Sequence, residues 1–306
     1  MKSTNSRRLF LKSMLAAPLA VSGLNVLATE SVATAVNPKF GHKFKLSLNL
    51  YSFNTLLMEK KIDLFDMLSF CAEYNFDAID PTGYYFPEYP GVPPDEFLMN
   101  FKRQAFLHGL DISGTGVRND FANPNEKSRK ADIEMIKKWI ETAAKMGIPN
   151  LRVFAGTNTH EGFSRDQVFG WMARDLKECC VYGKKFGVII AIQNHNDFLK
   201  TTADVDRIFE LVDSEWLGLN LDIGSYRLAD PYEEIQKNLK YAVTWQIKEN
   251  VWMNGKEVPT DFVRLFKIIK SGGYRGFLPL ETLGAGDPYQ KVPVLVEKVK
   301  NALTQI

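Results

Sequence analysis

The chain is poor in residues that build several common chemical sites. Its 306 residues include only four histidines, His42, His108, His160 and His195, and three cysteines, Cys71, Cys179 and Cys180. No two cysteines stand at the spacing of a zinc site, and three of them make no disulfide framework. Cys71 and Cys179 fall on predicted helices among apolar neighbours, where a thiol serves as a small core group. There is no phosphate-binding P-loop and no Gly-x-Ser-x-Gly elbow. Gly114-Thr115-Gly116 is too short for a dinucleotide fingerprint and leads into a loop rather than a helix. After residue 40 nothing approaches the roughly 20 consecutive apolar residues of a membrane span.

What is present begins with a processing segment. Ser6-Arg7-Arg8-Leu9-Phe10-Leu11-Lys12 precedes an apolar stretch from Met14 to Ala28, then small residues ending in Ala33-Thr34-Ala35. That order predicts a twin-arginine export signal over residues 1–35, cleaved after Ala35 or after Ala28, and a periplasmic or otherwise exported protein. A short N-terminal helix with an incidental arginine pair is the alternative. Removing the segment takes away Lys2, Arg7, Arg8 and Lys12 against Glu30, so the formal charge of +2 becomes −1. A near-neutral domain lacks the clustered cations that hold nucleic acid, and the mature chain is expected to be free of the membrane.

From Lys45 onward, short β-rich apolar runs alternate with helix-period segments, the pattern of βα units around a parallel sheet. Eight strands are predicted: Leu46 to Tyr51, Asp77 to Asp80, Asp111 to Val117, Asn150 to Phe154, Val188 to Gln193, Gly218 to Asp222, Ala242 to Ile247 and Gly276 to Glu281. The helical stretches lie near 62–74, 95–108, 126–146, 165–185, 202–212, 231–238, 260–270 and 288–303. Gly109, Gly147, Gly187 and Gly272-Gly273 stand where helices must stop; Thr202, Asp230-Pro231 and Asp287-Pro288 stand where they start. Eight pairs predict an α/β fold, a closed (β/α)₈ TIM barrel forming a single domain from residue 40 to 306.

In such a barrel the C-terminal strand ends converge on one face, so polar residues there are the candidates for chemistry. They are Gln193-Asn194-His195-Asn196-Asp197, Asp222-Ile223-Gly224-Ser225, Trp245-Gln246-Ile247-Lys248-Glu249 and Glu281. In order and spacing this set resembles the xylose-isomerase-like family of sugar isomerases and epimerases. That family usually shows Glu-Asn-His, an Asp strand, a His before apolar-Lys-Asp, and a Glu, the four leading residues holding one divalent metal. The resemblance implies a sugar substrate and a metal set of Gln193, Asp222, Gln246 and Glu281. Asp222 and Glu281 match in identity; Gln193 replaces a Glu and Gln246 a His. The scarcity of histidine argues against the family's multi-zinc endonuclease branch.

Two neutral amide donors weaken the implied site and favour magnesium or manganese over zinc. They also bear on mechanism. Family members move a proton beside a carbonyl with two carboxylates on opposite sides of the substrate, and Gln193 cannot carry a proton. Glu281 remains as base, with His195 as a second proton carrier or hydrogen-bond donor. Asn194, Lys248 and Tyr51 are the candidate substrate contacts; for Lys248 the competing role is an ion pair with Asp222 or Glu249. Asp80, Asn119 and Arg152 also stand near strand ends. Tyr51, Phe53, Tyr84, Tyr85 and Trp252 could wall the sugar, although aromatics near strands commonly serve packing. By resemblance, the expected function is metal-assisted proton transfer on a sugar or keto-sugar. The alternatives are a lyase or hydrolase acting on a keto-sugar or glycoside, and a sugar-binding barrel without catalysis.

Overall fold

The computed structural model describes residues 43–157 and 159–306; the export segment and the predicted domain start at residue 40 lie outside them. Its strands, in chain order, are β1 (Phe44–Asn49), β2 (Ala78–Asp80), β3 (Asp111–Ile112), β4 (Thr115–Gly116), β5 (Asn150–Phe154), β6 (Ile189–Gln193), β7 (Leu217–Asp222), β8 (Ala242–Lys248), β9 (Asn250–Met253), β10 (Lys256–Pro259) and β11 (Gly276–Glu281). The main sheet runs β3-β2-β1-β11-β8-β7-β6-β5-β4, with every pairing parallel. Its two ends, β3 and β4, are halves of one strand interrupted at Ser113-Gly114. The nine segments therefore make eight strands and the sheet closes on itself.

Closure explains the difference from the single strand expected over Asp111 to Val117. The first half pairs with β2, Ser113 N–H donating to the Ile79 carbonyl at 2.9 Å; after the break, Val117 N–H donates to the Arg152 carbonyl at 3.1 Å. Gly114 sits at the break because a Cβ there would lie 3.1 Å from both Asn150 Oδ1 and Asp80 Oδ1.

The helices are α1 (Asn54–Met58), α2 (Leu64–Glu73), α3 (Asp95–Leu107), α4 (Glu126–Met146), α5 (Arg165–Phe186), α6 (Thr202–Val212), α7 (Pro231–Asn238), α8 (Phe262–Ser271) and α9 (Pro288–Leu303). From α2 to α9 each packs on the next around the sheet. The ring closes where Phe70 of α2 meets Tyr289 of α9 edge-on at 5.5 Å, with Phe53 5.0 Å from both rings. Phe53 is thus a core residue rather than part of a sugar wall. Cys71, Cys179 and Cys180 are free and buried, and burial pushes the Cys180 thiol up to about 12, where it is inert.

The caps follow from local chemistry. Asp230 and Asp287 cap α7 and α9 ahead of proline, while Gly147 and Gly187 end α4 and α5 with φ of +76° and +70°. The cap of α6 is Thr201 rather than Thr202, in a reciprocal box with Asp204; Thr202 Oγ1 donates to Glu234 instead. Gly272 is also not left-handed, the positive φ falling on Gly273.

Successive residues of a strand face opposite sides, and here the two sides differ sharply. Leu219 and Leu221, Ile190 and Ile192, Trp245 and Ile247, and Leu278 and Leu280 are wholly buried and share the apolar core that the helices complete. The alternate positions are polar or small: Asn220 and Asp222, Ala191 and Gln193, Thr244 and Gln246, Ser47 and Asn49. They fill the barrel, and their hydrogen bonds include Ser47 Oγ to Ser113 Oγ at 2.7 Å and Asn150 Nδ2 to the Ser113 carbonyl at 2.9 Å.

Backbone geometry at the mouth is equally tight at Gly156, just beyond β5. It has φ of +119°, and a Cβ there would lie 2.1 Å from Asp120 Oδ1 and 2.5 Å from the Ala122 nitrogen. Gly156→Ala is therefore expected to lower stability by roughly 1–3 kcal/mol or more, measured by urea or thermal unfolding, because strain and clash act together.

Candidate functional site

Four adjacent strands bring their last residues together. Gln193 ends β6, Asp222 ends β7, Glu281 ends β11, and β8 contributes Gln246 and Lys248, two apart and so on one face. Register places Asp222 beside Gln246 and Glu281 beside Lys248. Gln193, Asp222, Gln246 and Glu281 are each at most 5% exposed.

At the centre is the Lys248 ammonium. Nζ donates to Asp222 Oδ2 at 2.8 Å and lies 3.1 Å from Glu281 Oε2. Glu281 Oε2 is buried, and the Lys248 ammonium is its polar contact. Burial works against the lysine charge, but the two carboxylates outweigh it and hold its pKa above the ordinary value. Of the two alternatives weighed for this lysine, Asp222 is its partner; Glu249 pairs with Lys291 at 3.1 Å. Gly224 gives the lysine stem room, since a Cβ there would lie 2.9 Å from Lys248 Cδ.

The two carboxylates differ. At Asp222, burial raises the pKa, but Lys248 and further hydrogen bonds overcome it, and the group is held below the usual range. Its Oδ1 accepts from Gly224 N–H at 2.9 Å and its Oδ2 accepts from Gln193 Nε2 at 2.9 Å as well as from Lys248. Among the described residues Glu281 has the Lys248 ammonium and no further donor of this kind. Burial dominates there and raises its pKa despite Lys248, with Asp222 adding to the rise.

Gln193 Nε2 also donates to Gln246 Oε1 at 2.7 Å, leaving Gln193 Oε1 buried and unpartnered. Of the donor set expected for a divalent ion, Asp222 and Gln246 are thus engaged by N–H groups, while Gln193 Oε1 is open. Asp222 and Gln246 accept from Gln193, and the space shared by Asp222 and Glu281 takes an ammonium. These residues fit a built-in monovalent cation better than a divalent ion, which would need more negative charge than two carboxylates shared with a lysine supply. Among the described residues no cluster of three His, Cys, Asp or Glu side chains stands at metal-binding spacing.

The remaining candidates divide between the cavity and the scaffold. A cavity of about 350 Å³ opens at the barrel mouth and is lined by Gln193, His195, Gln246, Lys248, Glu281 and Tyr51, together with Asn49, Thr82, Tyr84, Arg118, Arg152, Phe154 and Leu283. His195 is held by Asp197, Nδ1 to Oδ2 at 2.6 Å, and meets the Phe154 ring edge-on at 5.4 Å. Tyr51 reaches the mouth because β1 stops at Asn49, whose Oδ1 accepts the Tyr51 N–H at 2.9 Å and starts a 3₁₀ turn. The strand expected to reach Tyr51 is therefore two residues shorter at this end.

Asn194, expected as a substrate contact, does not line the cavity. It is completely buried, its Nδ2 donating to the Asp222 carbonyl at 3.0 Å and its Oδ1 accepting the Asp222 N–H at 2.8 Å. Asn119 holds Phe154 in the same way, with both distances 2.8 Å. Each asparagine extends the ladder past a strand end and fixes the residue it clamps. Tyr84 lines the cavity, while Tyr85 donates to Asn54 Oδ1 at 3.0 Å. Trp252 lies beside a neighbouring pocket of about 170 Å³ and stacks with Arg227 at 4.6 Å. That pocket is formed in part by the β9–β10 hairpin, which the strand reading missed although Asn254-Gly255, φ +49° and +76°, is a hairpin-turn pair. Arg118 and Thr82 were also missed, having no periodic or motif signal.

The sequence profile of the xylose isomerase-like TIM barrel family matches residues 68–300. The chain belongs to that family. In sequence it is similar to probable endonuclease 4 of Thermotoga maritima, 29% identical over 107 residues, 34% of this chain and 36% of that one. The matched part thus spans about a third of this relative. Among solved structures it resembles a D-tagatose 3-epimerase-like protein (TM-score 0.69, 19% identity, 85% of this chain and 99% of that one). It also resembles 3-keto-D-glucoside 4-epimerase of E. coli (TM-score 0.64, 14% identity, 85% and 100%). At these identities the structures show the shared barrel, and sugar epimerases and isomerases are among those that share it.

Two outcomes are expected. Lys248→Met leaves two buried carboxylates uncompensated and should cost roughly 3–5 kcal/mol in chemical denaturation; adding Glu281→Gln should recover part of the loss. Asp80 gives a pH signature, its carboxyl pushed up to about 7 by burial against the pull of Arg152. A raised folded pKa means that the native state binds more protons than the unfolded chain between about 3.9 and 7. Its contribution is present below that window and lost as pH rises through it. Asp80→Asn should therefore lose less thermal stability than the parent between pH 5 and pH 8, measured by melting at both.

Proposed function

We propose that this protein is a sugar isomerase or epimerase-like enzyme that moves a proton beside the carbonyl of a sugar or keto-sugar, with Glu281 as base and Lys248 as the charge that stabilises the developing oxyanion. The observation that carries the reading is Glu281 Oε2: buried in the lining of the cavity and 3.1 Å from the Lys248 ammonium. A carboxylate whose basicity is raised by burial is suited to remove a proton from carbon, and an adjacent ammonium is suited to the oxygen that receives the electron pair.

In this reading Glu281 takes the proton from the carbon next to the carbonyl. The C–H electrons form the enediolate, and Lys248 donates a hydrogen bond to its oxygen. Returning the proton to the neighbouring carbon gives the isomer. His195, with Nδ1 held by Asp197, is placed to pass the hydroxyl proton between the two oxygens. Gln193 cannot act as a second base on the other face, so a single-base isomerisation is favoured over symmetric epimerisation. Its unpartnered Oε1 is an acceptor for a sugar hydroxyl. The ammonium of Lys248, between Asp222 and Glu281, supplies the positive charge this chemistry needs.

NMR of aldoses, ketoses and keto-glycosides incubated with the protein in D₂O tests the reading. Deuterium should enter a carbon next to the carbonyl, persist after dialysis against EDTA, and fall by about 10²–10⁴-fold in Glu281→Gln. Sugars that bind with neither exchange nor product would leave a binding barrel in place of an enzyme. Exchange lost on chelation and restored by manganese or magnesium would overturn the role given to Lys248.

A further inference from the structure

The cavity holds a second cationic group that the proton-transfer chemistry does not use. Arg152, on β5, is 4% exposed. Its Nη1 donates to the Val117 carbonyl at 2.8 Å, its Nη2 reaches Tyr84 Oη at 3.4 Å, and its guanidinium lies 4.0 Å from the Phe154 ring centroid. Gly116 makes room for it, since a Cβ there would lie 2.7 Å from Arg152 Nε. Arg118 stacks its guanidinium over the face of Tyr84 at 4.5 Å, its backbone N–H held by Tyr89 Oη at 2.8 Å. Tyr84 therefore has one guanidinium against its ring and another at its hydroxyl, and all three side chains line the cavity.

Among the described residues neither guanidinium forms an ion pair with a carboxylate. Asp80 and Glu281 lie within the field of Arg152 but beyond ion-pair distance. Lys248 is balanced by Asp222 and Glu281 and His195 is held by Asp197, which leaves Arg118 and Arg152 as the cavity-lining cations without a carboxylate at ion-pair distance. A buried guanidinium without an adjacent anion is costly, and an anion arriving from outside relieves that cost.

We propose that Arg152, Arg118 and Tyr84 form a subsite for the carboxylate of a sugar acid, so that the substrate is an anionic sugar of the uronate or aldonate type. With Nη1 of Arg152 committed to the backbone, the remaining donors of Arg152 and the Tyr84 hydroxyl suit a planar, two-oxygen anion, and Arg118 adds charge at the open side. The inference rests on reading this cavity as the substrate site.

Calorimetric titration of the intact protein with glucuronate, gluconate, glucose and glucose 6-phosphate tests it. At least one sugar acid should bind about tenfold or more tighter than glucose, a preference that added salt weakens. Arg118→Ala and Arg152→Lys, each checked for folding by circular dichroism, should shrink that preference to about threefold or less. Equal affinity for acids and glucose, binding by none of the four, a preference for the phosphate ester over both acids, or a preference that survives in Arg118→Ala would each overturn the subsite. Preference without deuterium exchange would sink the proton-transfer reading and leave the subsite; exchange on neutral sugars without preference would do the reverse.

Discussion

The ammonium of Lys248, held between Asp222 and Glu281, is the interaction on which the mouth of this barrel depends. Two carboxylates on buried strand ends either side of β8 repel each other, and burial opposes the charge of each. One cation between them lets Asp222 remain ionised and lets Glu281 stay near a condition in which it can take up a proton. The surrounding groups serve that balance. Gly224 yields space to the lysine stem, Gln193 caps the second lone pair of Asp222, and Asn194 fixes the Asp222 backbone. A glutamate in place of Gln193 would add a third negative charge to the same few ångströms.

The interior of the barrel supports this arrangement. Its inward positions are small or polar, some of them bonded to one another, whereas the outward positions form the apolar layer under the helices. A cation and two carboxylates set on hydrogen-bonded neighbours keep their geometry without help from a substrate. Preorganisation of this kind allows fixed charges to act on a transition state with little rearrangement.

Much of the fold was legible because period and turn chemistry agreed. Strands Asn150–Phe154 and Gly276–Glu281 and helices α4, α6, α7 and α9 match the reading residue for residue. It failed where tertiary geometry decides. The third strand breaks because it must pair with different neighbours before and after Gly114, which no local pattern records. In the site, Gln193, Asp222, Gln246, Lys248 and Glu281 were found from strand-end position and family resemblance. That Lys248 stands among the others, with Gln193 donating to two of them, required side-chain directions. That Asn194 clamps the Asp222 backbone was not legible for the same reason: a polar residue beyond a strand end looks identical in sequence whether it faces a ligand or clamps a backbone. Arg152 could be placed near the mouth, but its lack of a carboxylate partner is a property of three dimensions.

The β9–β10 hairpin rises directly after Lys248, and Thr260, at its far end, donates its hydroxyl to the Lys248 carbonyl at 2.8 Å. Its own pairing is internal, separate from the barrel sheet. Residues at its exposed tip can therefore be exchanged, lengthened or shortened without disturbing the ladder that aims the lysine. Evolution, or a designer, has in this hairpin a place to reshape what the mouth admits while the chemistry below is inherited unchanged.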